Sequence, residues 1–181
     1  RRVLAAIGCF VLLLSSLPAR AAGPPPVRLS PEARERFAAA VTAYRAGDWA
    51  QAAREFDEVS RIAAPIAEYA LLQQGESLAR LGDAAGSRAA AQHAADASPD
   101  SRAVPPALLL AAEQASRTGD DAAAAGLWRR FLDRFPDHAE APRARLRMGQ
   151  SLAAAGRPRE AATAFRELWL SSPATPYADA A

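Results

Sequence analysis

Few residues in this 181-residue chain are of types that could carry chemistry. His93 and His138 are the two histidines; they stand 45 residues apart, and neither has a cysteine or carboxylate at metal-ligand spacing. Both read as solvated surface side chains, His93 on a helix face and His138 in the linker after Pro136. Asp120 and Asp121 could form an acid–base pair. They directly follow Gly119, however, where a helix is due to begin, and there an aspartate serves as the N-cap and the next as a first-turn acid. No G-x-S-x-G, P-loop, C-x-x-C or H-E-x-x-H pattern occurs, and no glycine-rich phosphate cradle. The sequence therefore assigns no catalytic residue, no metal ligand and no cofactor, and points to a protein whose elements present surface.

The elements follow from punctuation. Four stretches align around a helix-ending turn: "YRAGDWAQAAREF", "LARLGDAAGSRAA", "ASRTGDDAAAAGLW" and "LAAAGRPREAATAF". Their glycines, Gly47, Gly82, Gly119 and Gly156, are separated by 35, 37 and 37 residues, and Pro99, Pro136 and Pro173 fall 37 apart. Two independent markers with one period define internal repeats. In each unit a first helix, A, ends at the glycine, which supplies a left-handed C-cap. A second helix, B, follows, and the proline closes the unit.

Helix A of the second unit, Ile66 to Leu81, carries Leu71, Gly75, Leu78 and Leu81 at helical spacing. Gly75, Ala112 and Gly149 occupy equivalent places, where a small residue lets helix B approach. Ala52, Ser87, Ala124 and Ala161 give helix B the matching small surface. Phe56, Trp128 and Phe165 stand four residues further on, one turn along the same face. Ala91 takes that place in unit two, so the weakest packing is expected there.

The start of the chain has a separate character. Arg1-Arg2, the apolar run Val3 to Leu17 and Ala19-Arg20-Ala21 have the form of a secretory signal peptide over residues 1–21. The run is too short to span a bilayer. "AAIGC" loosely resembles a lipoprotein box, but "FVLLL" continues after Cys9, so this cysteine reads as part of the cleaved segment rather than as a lipid anchor. Cleavage would remove Arg1, Arg2 and Arg20 from the 22 basic residues, all arginine, leaving 19 against 20 acids. The mature chain is then near neutral, with no basic excess to suggest nucleic acid. It would work in the bacterial periplasm, free of disulfides. Residues 22–30 form a Pro-rich spacer, after which Ser30-Pro31-Glu32 opens the repeat domain, residues 31–181.

Together these features resemble the tetratricopeptide repeat. The resemblance implies an all-α, right-handed α-solenoid of about four helix pairs. The units are about 33–66, 68–101, 105–138 and 142–175, and a partial fifth starts at 176. "TPYADAA" reads as the opening of that fifth helix A, with Thr175 as its N-cap, and the chain as a fragment of a longer protein. In this family helix A lines the concave groove, which places Tyr69, Leu72, Glu76 and Arg80 of unit two on that surface. Leu109, Glu113 and Arg117 of unit three and Arg143, Leu146 and Gln150 of unit four follow. The groove so formed would bind a peptide or a glycan strand. Glu76/Arg80 and Glu113/Arg117 can equally be ordinary i,i+4 ion pairs, worth about 0.2–0.5 kcal/mol each.

"EYALLQQGESLARLGD" and "RELWLSSPATPYADAA" also resemble the N-terminal superhelical region of soluble lytic transglycosylases. That resemblance implies a non-catalytic scaffold attached to a lysozyme-like domain beyond residue 181. Glu76-Ser77, the one Glu-Ser pair, lies inside a repeat helix and is not assigned catalysis. The alternative is a stand-alone envelope adaptor, because "FPDHAEAPRA" is similar to linkers of cell-division coordinators and outer-membrane-assembly lipoproteins. Such an adaptor would bind protein partners.

Overall fold

The computed structural model describes residues 28–180; the segment expected to be a signal peptide, Cys9 and most of the Pro-rich stretch lie outside them. Eight α-helices follow in order: α1 (Pro31–Ala46), α2 (Trp49–Ile62), α3 (Ala67–Leu81), α4 (Ala84–Ala97), α5 (Val104–Arg117), α6 (Asp121–Arg134), α7 (Ala141–Ala154) and α8 (Pro158–Ser171). One turn of 3-10 helix, Ala64–Ile66, joins α2 to α3. Each helix packs on the one before it and the one after it, and α3 also reaches α5. The result is a right-handed solenoid of four helix pairs, with no strand among the described residues.

The turns form as the residue types require. Gly47, Gly82, Gly119 and Gly156 all have positive φ, between 73° and 84°, where a Cβ would be strained. Asp48, Asp83 and Asp120 each accept a hydrogen bond from the backbone N–H three residues on, at 3.0, 2.9 and 3.2 Å. Ser30 caps α1 in the same way through the Ala33 N–H. Arg157 holds the equivalent place before α8 and gives no such cap.

The small positions do what their spacing predicts. A Cβ on Gly149 would lie 2.4 Å from the Phe165 ring, and one on Gly75 would lie 3.2 Å from the Ser87 carbonyl oxygen. Ala112 is fully buried between them in the series. Unit two is not the loose junction expected from Ala91. That alanine is fully buried, and the Leu110 side chain of α5 reaches to 3.2 Å from where a Cβ on Gly75 would lie. Close backbone approach at a glycine, together with a leucine from the next unit, replaces the missing aromatic. The apolar core divides instead between units one and two. One cluster runs from Leu71 to Ala164; a second holds α1, α2 and Ala70.

Ser87 is the misfit in the small-residue series. Its hydroxyl is buried without a hydrogen-bond partner, whereas units one, three and four carry alanine there. An orphan buried hydroxyl costs roughly 1–3 kcal/mol. Ser87→Ala should therefore raise stability by about 1 kcal/mol in a urea denaturation series; a loss of stability would show that the hydroxyl is satisfied.

At the far end, α8 closes with Trp169 and Leu170 exposed to 60% and 66%. The residues equivalent to Trp169, Ala95 and Leu132, are buried in the core shared with the following unit. Residues 176–180 start the fifth unit as a run of turns rather than a helix. Thr175 does not act as the expected N-cap: its hydroxyl donates to the Ser172 carbonyl at 2.8 Å. Ala178 is nevertheless buried, with its N–H donated to the Thr175 carbonyl.

Candidate functional site

The helix A faces of α3, α5 and α7 carry the residues singled out from the sequence. Tyr69, Arg80, Arg117 and Gln150 are exposed, and Glu76, Glu113 and Arg143 are half-buried. Leu72 and Leu146 are buried in the core and Leu109 is partly so, which removes the two leucines from the groove surface. Hydrophobic burial dominates at those two positions, and only polar and aromatic neighbours remain outside.

Neither i,i+4 ion pair forms. Glu76 instead accepts a hydrogen bond from Tyr44 of α1 at 3.0 Å. Arg80 stacks over the Trp49 ring at 5.3 Å, and Tyr44 meets Trp49 edge-on at 5.2 Å. Burial first, and then the Glu76 hydrogen bond, raises the Tyr44 pKa above its ordinary value. This aromatic and polar cluster, with Gln74 donating to Asp57 at 3.2 Å, bridges the units between which the apolar core is split. Glu113 pairs with Arg143 of unit four, and Arg143 also holds Glu140 at 2.8 Å. Gln150 accepts from Arg147 at 3.2 Å.

The outer helices repeat the pattern. Arg88 pairs with Asp120 at 2.7 Å, Arg130 with Asp96 at 2.5 Å and Arg129 with Glu160 at 3.4 Å. Arg134 donates to the Pro99 carbonyl. Apart from Gln74 and Asp57, which are 17 residues apart, partners in these inter-unit contacts stand 30 to 35 residues apart, close to one repeat. His93 is exposed as expected. His138 is not a free surface group: its ring packs edge-on against Phe131 at 5.3 Å and its Nδ1 accepts the Glu140 N–H at 3.1 Å. It clamps the linker into α7.

Two of the inter-unit carboxylates are tuned. Arg88 and the Ala123 N–H hold the Asp120 pKa below its usual value. Arg157, then Arg129, does the same for Glu160. A depressed folded-state pKa stabilises the fold above the unfolded-state value, and that contribution disappears as pH falls through the folded one. The melting temperature should hold from neutral pH to about pH 5 and drop below about pH 4. Asp120→Asn should flatten part of that drop in a circular dichroism melting series; an unchanged acid limb would remove Asp120 from the account.

Between α5 and α7 lies a recess of about 400 Å³ lined by Glu113, Ser116, Arg117, Trp128 and Arg147. Sequence reasoning missed Arg147 and Trp128 here: Trp128 reads as core filler, and Arg147 is outside the transferred groove positions. Among the described residues no three His, Cys, Asp or Glu side chains gather as a metal site. No helix among them is long and apolar enough to cross a membrane.

The tetratricopeptide repeat family model matches residues 69–101, 106–138 and 143–175. The chain belongs to the tetratricopeptide repeat family. The matched segments coincide with α3–α4, α5–α6 and α7–α8, so the first helix pair is a further unit recognised by its structure. No curated protein matches the sequence. Among solved structures, a tetratricopeptide repeat protein from Parabacteroides merdae superposes with a TM-score of 0.67 at 16% identity. The likeness covers 82% of this chain and 57% of that one. MamA of AMB-1 gives 0.60 at 17% identity over 80% and 75% of the two chains. MamA of MSR-1 gives 0.57 at 16% over 78% of each. At these identities the likeness carries the fold alone. This tetratricopeptide chain spans little more than half the length of the Parabacteroides protein.

Proposed function

We propose that this tetratricopeptide chain is a non-catalytic scaffold of the bacterial periplasm that holds an extended segment of a protein partner in its helix A groove. The observation that carries this reading is the division of labour among charged side chains. Glu113 and Arg143 are spent on joining units, while Arg117 and Arg147 stay exposed on an open recess, and Tyr69 and Gln150 stay exposed elsewhere on the helix A series. A solenoid with its inter-unit contacts already satisfied has that face free for a ligand.

Replacing Arg80 and Arg117 by glutamate should weaken the best binder from an immobilised peptide array by about tenfold or more, the effect of losing charge-assisted hydrogen bonds. Survival of full affinity in that variant would overturn the groove. Glu113→Ala should leave the melting temperature almost unchanged, because half-exposed ion pairs contribute at most about 1 kcal/mol.

The adaptor is the leading form of this proposal, since the family and the fold are those of protein-binding solenoids and the linker "FPDHAEAPRA" is of the adaptor type. A second form is favoured by "RELWLSSPATPYADAA": the chain as the scaffold of a peptidoglycan lytic transglycosylase, its groove facing a glycan strand. In either form residues 22–181 should give no clearing band on a peptidoglycan zymogram, and a clear band would place chemistry within these repeats.

A further inference from the structure

The ion pairs between the outer helices follow the repeat, and at one junction the pattern breaks. Asp96 of α4 meets Arg130 of α6 at 2.5 Å. One period of 37 residues later, the same two places are held by Asp133 of α6 and Glu167 of α8, both exposed. Two carboxylates stand there in place of an acid and a guanidinium, and neither can neutralise the other. At the first junction the equivalents are Arg61 and His93, and Arg61 is taken by Asp57 and Glu58 of its own helix. Only the third junction sets two acids at these places.

Both acids line a recess of about 410 Å³ between α6, α7 and α8. Its floor is apolar, with Leu132, Met148 and Leu152 buried beneath. The two arginines on its walls are committed elsewhere. Arg129 pairs with Glu160 at 3.4 Å, and Arg145 donates to the Pro136 carbonyl at 3.4 Å. Among the described residues, neither Asp133 nor Glu167 is held in an ion pair.

We propose that this recess is a second interaction surface, outside the helix A groove, that takes an arginine side chain of a protein partner. The guanidinium fills the place that Arg130 fills beside Asp96 one unit earlier. Its planar fork of donors can hold both carboxylates at once. The aliphatic stem lies along the apolar floor, where the flexible Met148 adapts to it. A lysine matches the charge but lacks the fork, so it binds less well.

The test uses three capped probes: acetyl-Gly-Arg-Gly amide, its lysine counterpart and its citrulline counterpart, which is neutral but nearly isosteric with arginine. Met148 is the one methionine in the chain, so its ¹³C-labelled methyl group reports from the floor, alongside the backbone amides of α6 and α8. These signals should move and saturate with the arginine probe, move with lower affinity with lysine, and stay fixed with citrulline. Asp133→Asn with Glu167→Gln should weaken arginine binding about tenfold or more. Arg80→Glu with Arg117→Glu, the variant that tests the groove, should leave it unchanged.

A second measurement needs no ligand. Glu167→Arg restores the acid–arginine pairing of the preceding junction. It should abolish binding of the arginine probe and raise the melting temperature by about 2 °C, and that rise should vanish in the Asp133→Asn background. Equal shifts with the arginine and citrulline probes overturn the proposal, as does full affinity in the doubly neutralised variant. So does tighter binding of calcium than of arginine, read at the same signals, which would make the acids a metal site. A melting temperature that responds to Glu167→Arg equally with and without Asp133 would show that the two acids do not share one counter-charge, and would overturn it too.

Discussion

Trp128→Ala should lower the unfolding free energy by about 3–5 kcal/mol, the usual cost of emptying a large aromatic site. Trp128 is the largest of the fully buried side chains, and it lies in the continuous core that joins units two to four. Helix α6, which carries it, packs on both α5 and α7. Its loss therefore opens a void where unit three meets unit four. In a linear array of repeats, stability is roughly a sum of unit terms and nearest-neighbour interface terms. Losing one interface should lower the stability of the whole and separate α7 and α8 from the rest, so that urea unfolding broadens or divides into two steps. Trp169→Ala is the control. That indole is 60% exposed, and its removal should change stability by no more than about 0.5 kcal/mol. Equal effects of the two substitutions would contradict the packing described here.

Gly149→Ala tests the close approach of α7 and α8. On helix propensity alone, alanine gains about 1 kcal/mol over glycine. Here the new Cβ would meet three Phe165 ring atoms at 2.4, 2.7 and 2.8 Å, distances that force the ring to move. Overpacking of this kind costs about 1–3 kcal/mol, so the net expectation is a loss of about 1–2 kcal/mol. The ring is only partly buried, which makes the double variant decisive. With Phe165→Leu in place, Gly149→Ala should become neutral or stabilising, a coupling of about 1 kcal/mol or more. A stabilising Gly149→Ala in the otherwise unchanged chain would mean that Phe165 does not hold this position.

The turns were legible because their causes are local. Gly47, Gly82, Gly119 and Gly156 need left-handed backbone, and Asp48, Asp83 and Asp120 reach only three residues ahead to cap. The fixed period then dictates the pairing of helices. The partners of the groove side chains were not legible, because a local rule offers Arg80 to Glu76 and Arg117 to Glu113. The curve of the solenoid brings α1 and α2 near α3, and α7 near α5. Arg80 therefore finds the Trp49 face and Glu113 finds Arg143. The compensation at Ala91 was hidden for the same reason: it depends on Leu110 of the next unit arriving beside a glycine. Leu72 and Leu146 sit at groove positions by register, but burial of a leucine outweighs register once the neighbouring helix supplies an apolar wall. The burial of Trp128 fits its sequence pattern; its unpaired N–H is visible only when every neighbour is in place.

Amide chemical-shift mapping decides whether the helix A face holds the partner. The ¹⁵N-labelled protein is titrated with the strongest binder from a peptide array. The perturbed residues should fall on α3, α5 and α7, around Tyr69, Glu76, Arg80, Glu113, Arg117, Arg143 and Gln150, with the outer faces of α4, α6 and α8 unchanged. Perturbations confined to those outer faces, or a pattern indifferent to reversal of Arg80 and Arg117, would contradict that placement.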